Sequence, residues 1–257
     1  LPWLIADLKS IPQKAGKIMG VSLLQDLKEL TVGRKQFGFF EDFETFVSGD
    51  LFTDTSADAS ATIASSDAAG GVVVLTTGAT DNNEAYLLTT KEIFRFANNK
   101  PLLFEARIQY AEANTDDANV CLGFMDAVGA NSILDDGAGP KASYSGAVFF
   151  KVDGGTRWQV ESSLGSSQTT TDLTAANSLS KSAQTAGGAS YQTLRIEVIP
   201  VSSTEAEVSF WIDGVHVMKH SLTYTSATEM MAFVGVKAGS ANSEVVNVDY
   251  IAAYQDR

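Results

Sequence analysis

Residues 191–254 read YQTLRIEVIPVSSTEAEVSFWIDGVHVMKHSLTYTSATEMMAFVGVKAGSANSEVVNVDYIAAY. Four or five β-strands follow one another here: LRIEVIP, AEVSFWID, VHVMKHSL, MMAFVGVKAG and VNVDYIAAY. Between the second and third lies Asp213-Gly214, a two-residue turn flanked by alternating apolar residues, which is the strongest short-range hairpin signal. Leu194, Ile196 and Val198 oppose Arg195 and Glu197; Val208, Phe210 and Ile212 oppose Ser209 and Trp211; Val246, Val248 and Tyr250 oppose Asn247 and Asp249. One apolar face per strand is what two stacked antiparallel sheets require.

The same pattern runs upstream to residue 37. FGFFEDFETF predicts an aromatic-rich first strand, GGVVVLTTG and EAYLLTT two more, and residues 48–70, rich in Ser, Ala, Asp and Thr, a loop or weak strands. An Asn-Asn-Lys-Pro turn leads into a long strand with Phe104, Ala106, Ile108 and Tyr110 on one face. NVCLGFMDAV, GAVFFKVDGG and TRWQVESSL follow, and then a polar stretch over 165–190 that reads as an exposed loop or hairpin. Roughly twelve strands and no long helix after residue 37 predict an all-β antiparallel jelly-roll sandwich over 37–257.

Residues 1–36 differ. Through residue 37 the chain carries six basic and three acidic groups, net +3, and the remainder carries 12 and 28, net −16. Leu4, Ile5, Leu8 and Ile11 recur at helical spacing before Pro12; Ser22 and Gln25 have capping-box spacing, Leu23, Leu24, Leu27 and Leu30 share a face, and Gly33 is a stop. Helices this short are marginal alone in water, so their apolar faces need a partner surface. The basic arm, with Trp3, Leu4, Leu8, Ile11, Lys14, Lys17, Leu23, Leu24, Leu27, Leu30, Arg34 and Lys35, is the candidate partner contact.

The formal charge of −13 argues against a nucleic-acid-binding body, which needs a basic patch, and against an anionic membrane surface. No apolar run reaches the 18 residues of a transmembrane helix, and no secretory signal is read. One cysteine, Cys121, excludes an internal disulfide; in NVCLGFM it reads as a buried small hydrophobe.

Glycoside hydrolysis needs two carboxylates flanking the scissile bond. In sandwich-fold glycosidases they alternate along one strand as Glu-x-Asp-x-Glu or Glu-x-Asp-x-x-Glu, and no such run occurs. In Glu41-Asp42-Phe43-Glu44 the parity is wrong, and Glu205 and Glu207 read as a solvated face. Asp116-Asp117 and Asp135-Asp136 lack a calcium-loop spacing and read as polar loops. His216 and His220, four apart on a strand, are not a helical zinc pair and read as surface or interface side chains. No G-x-S-x-G elbow or phosphate loop is present. No catalytic residue, metal site or cofactor is assigned, and the chain reads as a non-enzyme. Trp158, Trp211 and Tyr144 are aromatic candidates for a sugar platform, Trp211 foremost because it points off the apolar face. Trp211, Tyr144 and His216 are retained as glycan or subunit contacts.

The runs NNEAYLLTTKEIFRFANNKPLLFEARIQYAEANTDDANVCLGFMDAV, GPKASYSGAVFFKVDGG, QTAGGASYQTLRIEVIP and VNVDYIAAYQ resemble structural proteins of tailed bacteriophages. These are capsid decoration or cement proteins with a concanavalin A-like, laminin-G-like jelly-roll body. The resemblance spans about residues 37–257, and FWIDGVHV is similar to the hairpin of laminin-G-like domains generally. It implies no catalytic residues. It implies a virion protein on the outer capsid surface with the major capsid protein as partner, and a homo-oligomer with a trimer favoured; the alternative reading of the same fold is a carbohydrate-binding, lectin-like module that mediates surface adhesion, with a glycan on Trp211 or Tyr144. An arm joined to such a body can lie between neighbouring subunits, and the linkage raises avidity without a large interface.

Overall fold

The computed structural model describes residues 36–56, 58–112, 116–188 and 190–257. The chain divides into two units, residues 1–37 with Arg257 and residues 38–256. The arm contacts and helices expected over 1–35 lie outside the described residues.

Fifteen strands are present among the described residues: β1 (Gln36–Glu41), β2 (Phe52–Thr55), β3 (Thr62–Ser66), β4 (Val72–Thr76), β5 (Glu84–Thr89), β6 (Leu102–Ala111), β7 (Ala118–Met125), β8 (Gly146–Lys151), β9 (Gln159–Leu164), β10 (Ser167–Asp172), β11 (Gln192–Pro200), β12 (Glu205–Ile212), β13 (Val215–Thr223), β14 (Met231–Ala238) and β15 (Val245–Asp256). They form two antiparallel sheets. One runs β13-β12-β11-β6-β15-β4-β3 with β1 also on β15; the other runs β10-β9-β8-β7-β14-β5-β2. The all-β sandwich expected from the sequence is the fold.

The count exceeds the expected dozen because of β2, β3 and β10. Each lies at a sheet edge. An edge strand is protected by polar residues, so the Ser/Thr-rich composition that reads as loop is what an edge tolerates.

The inner faces make the core. Phe104, Ala106, Ile108 and Tyr110 of β6, with Leu194, Ile196 and Val198 of β11, meet Val120, Leu122 and Phe124 of β7 and Phe149 of β8, all buried. Phe104 crosses to Phe124 (5.6 Å between ring centroids), and Phe210 to Phe149 (5.3 Å), both edge-on. Asp213 (φ 50°) and Gly214 (φ 77°) are both left-handed, the geometry a two-residue primed hairpin turn demands.

Two β-bulges redirect faces that strict alternation would assign otherwise. In β15 the register slips between Val248 and Tyr250, so Asp249 is extra. Val246 and Val248 point inward as expected, but Tyr250 turns outward, where its hydroxyl donates to Glu105 Oε1 (2.8 Å), and Ile251 and Ala253 take the inner face. In β13 the register slips against Phe210/Trp211, leaving Val217 extra. Strict alternation would put His216 and His220, four apart, on one face; with Val217 unpaired in the bulge they point to opposite faces.

Candidate functional site

Two surfaces carry the chemistry of this body: the outer faces of its two sheets. On the seven-stranded sheet, residues of opposite parity to Leu122 and Phe124 face outward. Tyr86 and Leu88 (β5), Cys121 and Met125 (β7), Val148 and Phe150 (β8) and Phe233 (β14) form a second apolar cluster there. Residues 126–145, between β7 and β8, cross over it and cap it with Ile133 and Tyr144. Gly235 makes room for this layer: a Cβ there would sit 2.4 Å from the Tyr86 ring.

The cap is held by buried polar groups. Lys237, 1% exposed, extends from β14 among four oxygens: Asp135 Oδ1 (2.5 Å), Asn131 Oδ1 (3.0 Å), Ile133 O (3.1 Å) and Glu84 Oε2 (3.4 Å). Glu84 accepts from the Tyr86 hydroxyl (2.7 Å) and from the Asn131 N–H (3.0 and 3.1 Å). Desolvation and the Glu84 carboxylate push the Tyr86 phenol far above its usual range, so it keeps the proton it donates to Glu84, while its oxygen accepts from the Ile133 N–H (3.0 Å). A second buried lysine, Lys151, donates to Glu112 Oε1, Asp116 O and Ala118 O at 2.6–2.7 Å. The Asp116-Asp117 and Asp135-Asp136 pairs thus each contribute a ligand to an ammonium. Among the described residues no group of three or more His, Cys, Asp or Glu side chains is placed to hold a metal ion. The sequence carries one signal for these sites that its reading passed over: a lysine inside an apolar strand run, at FFK and VGVK.

At the β9–β10 end the cap leaves a cleft of ≈ 330 Å³, lined by Pro140, Phe150, Gln159, Glu161, Gln168 and Thr170 among others. Glu161 is buried, and its carboxylate accepts from the Tyr144 hydroxyl (2.9 Å), Gln168 Nε2 (2.9 Å) and Thr170 Oγ1. This carboxylate is committed to the fold. Gln159, Gln168 and Thr170 provide the polar rim, over an aromatic and aliphatic floor.

On the eight-stranded sheet, Trp211 points outward as expected and stacks on His216, its cross-strand partner, with ring centroids 4.6 Å apart and planes 26° apart. Trp211 Nε1 and His216 Nε2 are shielded from solvent and have no hydrogen-bond partner. Arg195, the β11 residue paired with Trp211, lies 3.4 Å from Glu105 and 3.3 Å from Glu197.

The structure therefore separates the candidates. Trp211 and His216 form one pair. Tyr144 is not a surface platform: it is 1% exposed, its ring buried as part of the cap on the other sheet. Burial, with Glu161 next, pushes its phenol well above the usual range. Trp158 is also no platform; it is fully buried, with Nε1 donating to Gln192 Oε1 (3.0 Å). His220 is neither surface nor interface. The bulge at Val217 turns it inward, where Nδ1 meets Ser162 Oγ (3.1 Å) and Nε2 meets Thr171 Oγ1 (3.0 Å), and burial lowers its pKa to about 4. Cys121 is buried as read, and its thiol is pushed up by burial, then by Glu161. Glu207 is a solvated residue paired with Lys219 (2.9 Å). No helix among the described residues is long and apolar enough to cross a membrane.

No protein-family model matches the sequence, and no curated protein matches it. Solved structures do match. A Shewanella oneidensis MR-1 protein of unknown function, SO2946, has a TM-score of 0.54 at 13% identity, covering 90% of this chain and 93% of its own. The carbohydrate recognition domain of Emp47p has a TM-score of 0.54 at 11% identity, covering 87% and 96%. An endo-1,3-β-glucanase from Streptomyces sioyaensis has a TM-score of 0.55 at 13% identity, covering 86% and 96%. At these identities the likeness is one of fold: a concanavalin A-like, glucanase-type β-sandwich shared by carbohydrate-recognition domains and glucanases.

Proposed function

We propose that this chain is a non-catalytic binding protein that decorates and stabilises a tailed-phage capsid from its outer surface. The observation that carries the non-catalytic part is the state of the seven-stranded sheet's outer face. It is filled by an apolar cluster and capped by residues 126–145, and Glu161 is tied up by three donors. Two free carboxylates across an open groove, the requirement for glycoside hydrolysis, are not what this face offers. The virion part is supported by the sequence resemblance across residues 37–257. In this reading the basic arm contacts the major capsid protein and the Trp211–His216 pair lies at a subunit contact of a trimer. Aromatic residues and arginine are enriched at interface centres; Trp211 is the aromatic here, and Arg195 is its cross-strand neighbour on β11.

The test is co-sedimentation of the full chain with particles that lack it. The full chain is expected to saturate symmetric sites, and a chain without residues 1–36 to bind at least tenfold more weakly while keeping its β-sheet circular dichroism. Equal occupancy by both chains would remove the arm from the account.

A second reading, carbohydrate binding, is favoured by the cleft of polar amides over Phe150 and by fold likeness to a carbohydrate recognition domain. It is tested on a glycan array. If a glycan sits in the cleft, Gln159→Ala should weaken its binding about tenfold, the scale of one lost hydrogen bond to a bound group, and Trp211→Ala should leave it unchanged. The reverse pattern would place the glycan on the other sheet, and no binding at all would dispose of this reading.

A further inference from the structure

We propose that Lys237 and Asn131 become joined by an isopeptide bond, Lys237 Nζ to Asn131 Cγ, which the protein forms by itself and which clamps the 126–145 cap onto β14. The inference rests on the geometry of the cap and is independent of the virion reading. Such a bond needs an amine shielded from water, an amide carbonyl held against it, and carboxyl groups to move protons. All three meet here. Lys237 Nζ donates to Asn131 Oδ1 at 3.0 Å. The amide carbon is one C=O bond, about 1.2 Å, beyond that oxygen, so the nucleophile starts within roughly an ångström of attack distance. Asn131 is fixed from its backbone, where its N–H donates to both oxygens of the buried Glu84. Tyr86 in turn fixes Glu84 and accepts from the Ile133 N–H (3.0 Å).

The proton route is also present. Asp135 Oδ1 lies 2.5 Å from the ammonium, and its side chain is 56% exposed, in touch with solvent. Asp135 takes one proton from Lys237. The free amine adds to Asn131 Cγ, forming the C–N bond and moving the carbonyl pair onto Oδ1. Glu84 carries a second proton from the attacking nitrogen to Nδ2. The C–Nδ2 bond breaks, the carbonyl re-forms, and ammonia departs through the exposed Asn131, taking the proton from Asp135 to leave as ammonium. One ammonium and one primary amide become one secondary amide and one ammonium ion. No electrons are exchanged, and no cofactor enters.

An ordinary lysine is free amine to roughly one part in 10³ at neutral pH. Groups held in contact reach effective molarities of about 10⁵–10⁸ M, which offsets that fraction. The simpler alternative is an ammonium that only bridges its four oxygens, and mass separates the two. The intact, denatured full chain, aged at neutral pH, should weigh about 17 Da less than its sequence. Its tryptic digest should contain one branched peptide joining Lys237 and Asn131. Lys237→Arg and Asn131→Ala should both show the full calculated mass; Asn131 is at the surface, so its variant folds. A wild-type chain at full mass would overturn the proposal. So would a 17 Da loss that survives in Lys237→Arg, which marks a succinimide at Asn131, or a branched peptide at Asp135.

Discussion

Replacing Trp158 by alanine is expected to destabilise the protein by about 3–5 kcal/mol, the range for deleting a large aromatic from a packed core. Trp158 is fully buried beside the start of β9. Its ring meets Tyr110 edge-on at 6.1 Å and Phe149 at 6.3 Å, so it fills the space between β6 of one sheet and β8 of the other. Its Nε1–H donates to Gln192 Oε1, which also accepts from the Gly187 N–H (3.1 Å). The substitution removes the ring and leaves the Gln192 oxygen one donor short at the margin of the core. Urea denaturation followed by circular dichroism measures it. An unchanged midpoint would mean that Trp158 is at the surface, as a sugar platform would be, and the core described above would be wrong at that corner.

Acid should weaken the sandwich through His220. Its folded pKa is lowered from 6.5 to about 4 by burial. The neutral ring joins β13 of one sheet to Ser162 and Thr171 of the other, with the Phe210 ring against it at 5.3 Å. The unfolded chain takes up a proton below the ordinary histidine value and the folded chain resists doing so. The contribution is therefore complete above pH 6.5 and is lost as pH falls toward 4. A shift of this size corresponds to about 3 kcal/mol between pH 7 and pH 4. Carboxylates also titrate in that window, so the comparison is with His220→Gln. That variant should lose about 3 kcal/mol less than the wild type over the same interval, in urea melts at both pH values. Parallel loss in the two chains would show that His220 ionises freely in the folded state.

The sheet that faces two ways was legible where alternation is strict. Leu194/Ile196/Val198 and Val208/Phe210/Ile212 are inward as read, Trp211 is outward, and Asp213-Gly214 turns the chain. What was not legible has two physical causes. A bulge adds one residue without changing composition, so Tyr250 and His220 were assigned to the wrong faces by counting in twos. The cap is a tertiary event: nothing local in SYSGAVFF announces that Tyr144 will be buried and bonded to Glu161 seventeen residues on. The same holds for Lys237, whose partners lie more than a hundred residues upstream. Its burial is visible only once β14 is paired with β5 and β7.

These displacements bear on function. Of the aromatic candidates for a binding face, only Trp211 and His216 remain outward. The outer face of the seven-stranded sheet is packed and capped. The account therefore rests on binding through the eight-stranded sheet and the basic arm. A cryo-electron-microscopy reconstruction of the particle encoded with this chain tests it most directly. The account predicts two-layer β-sandwich density at symmetry-related positions on the outer shell, with Trp211 and His216 at a contact. A shell whose outer surface is fully explained by other proteins, with this chain absent from the purified particle, would contradict it.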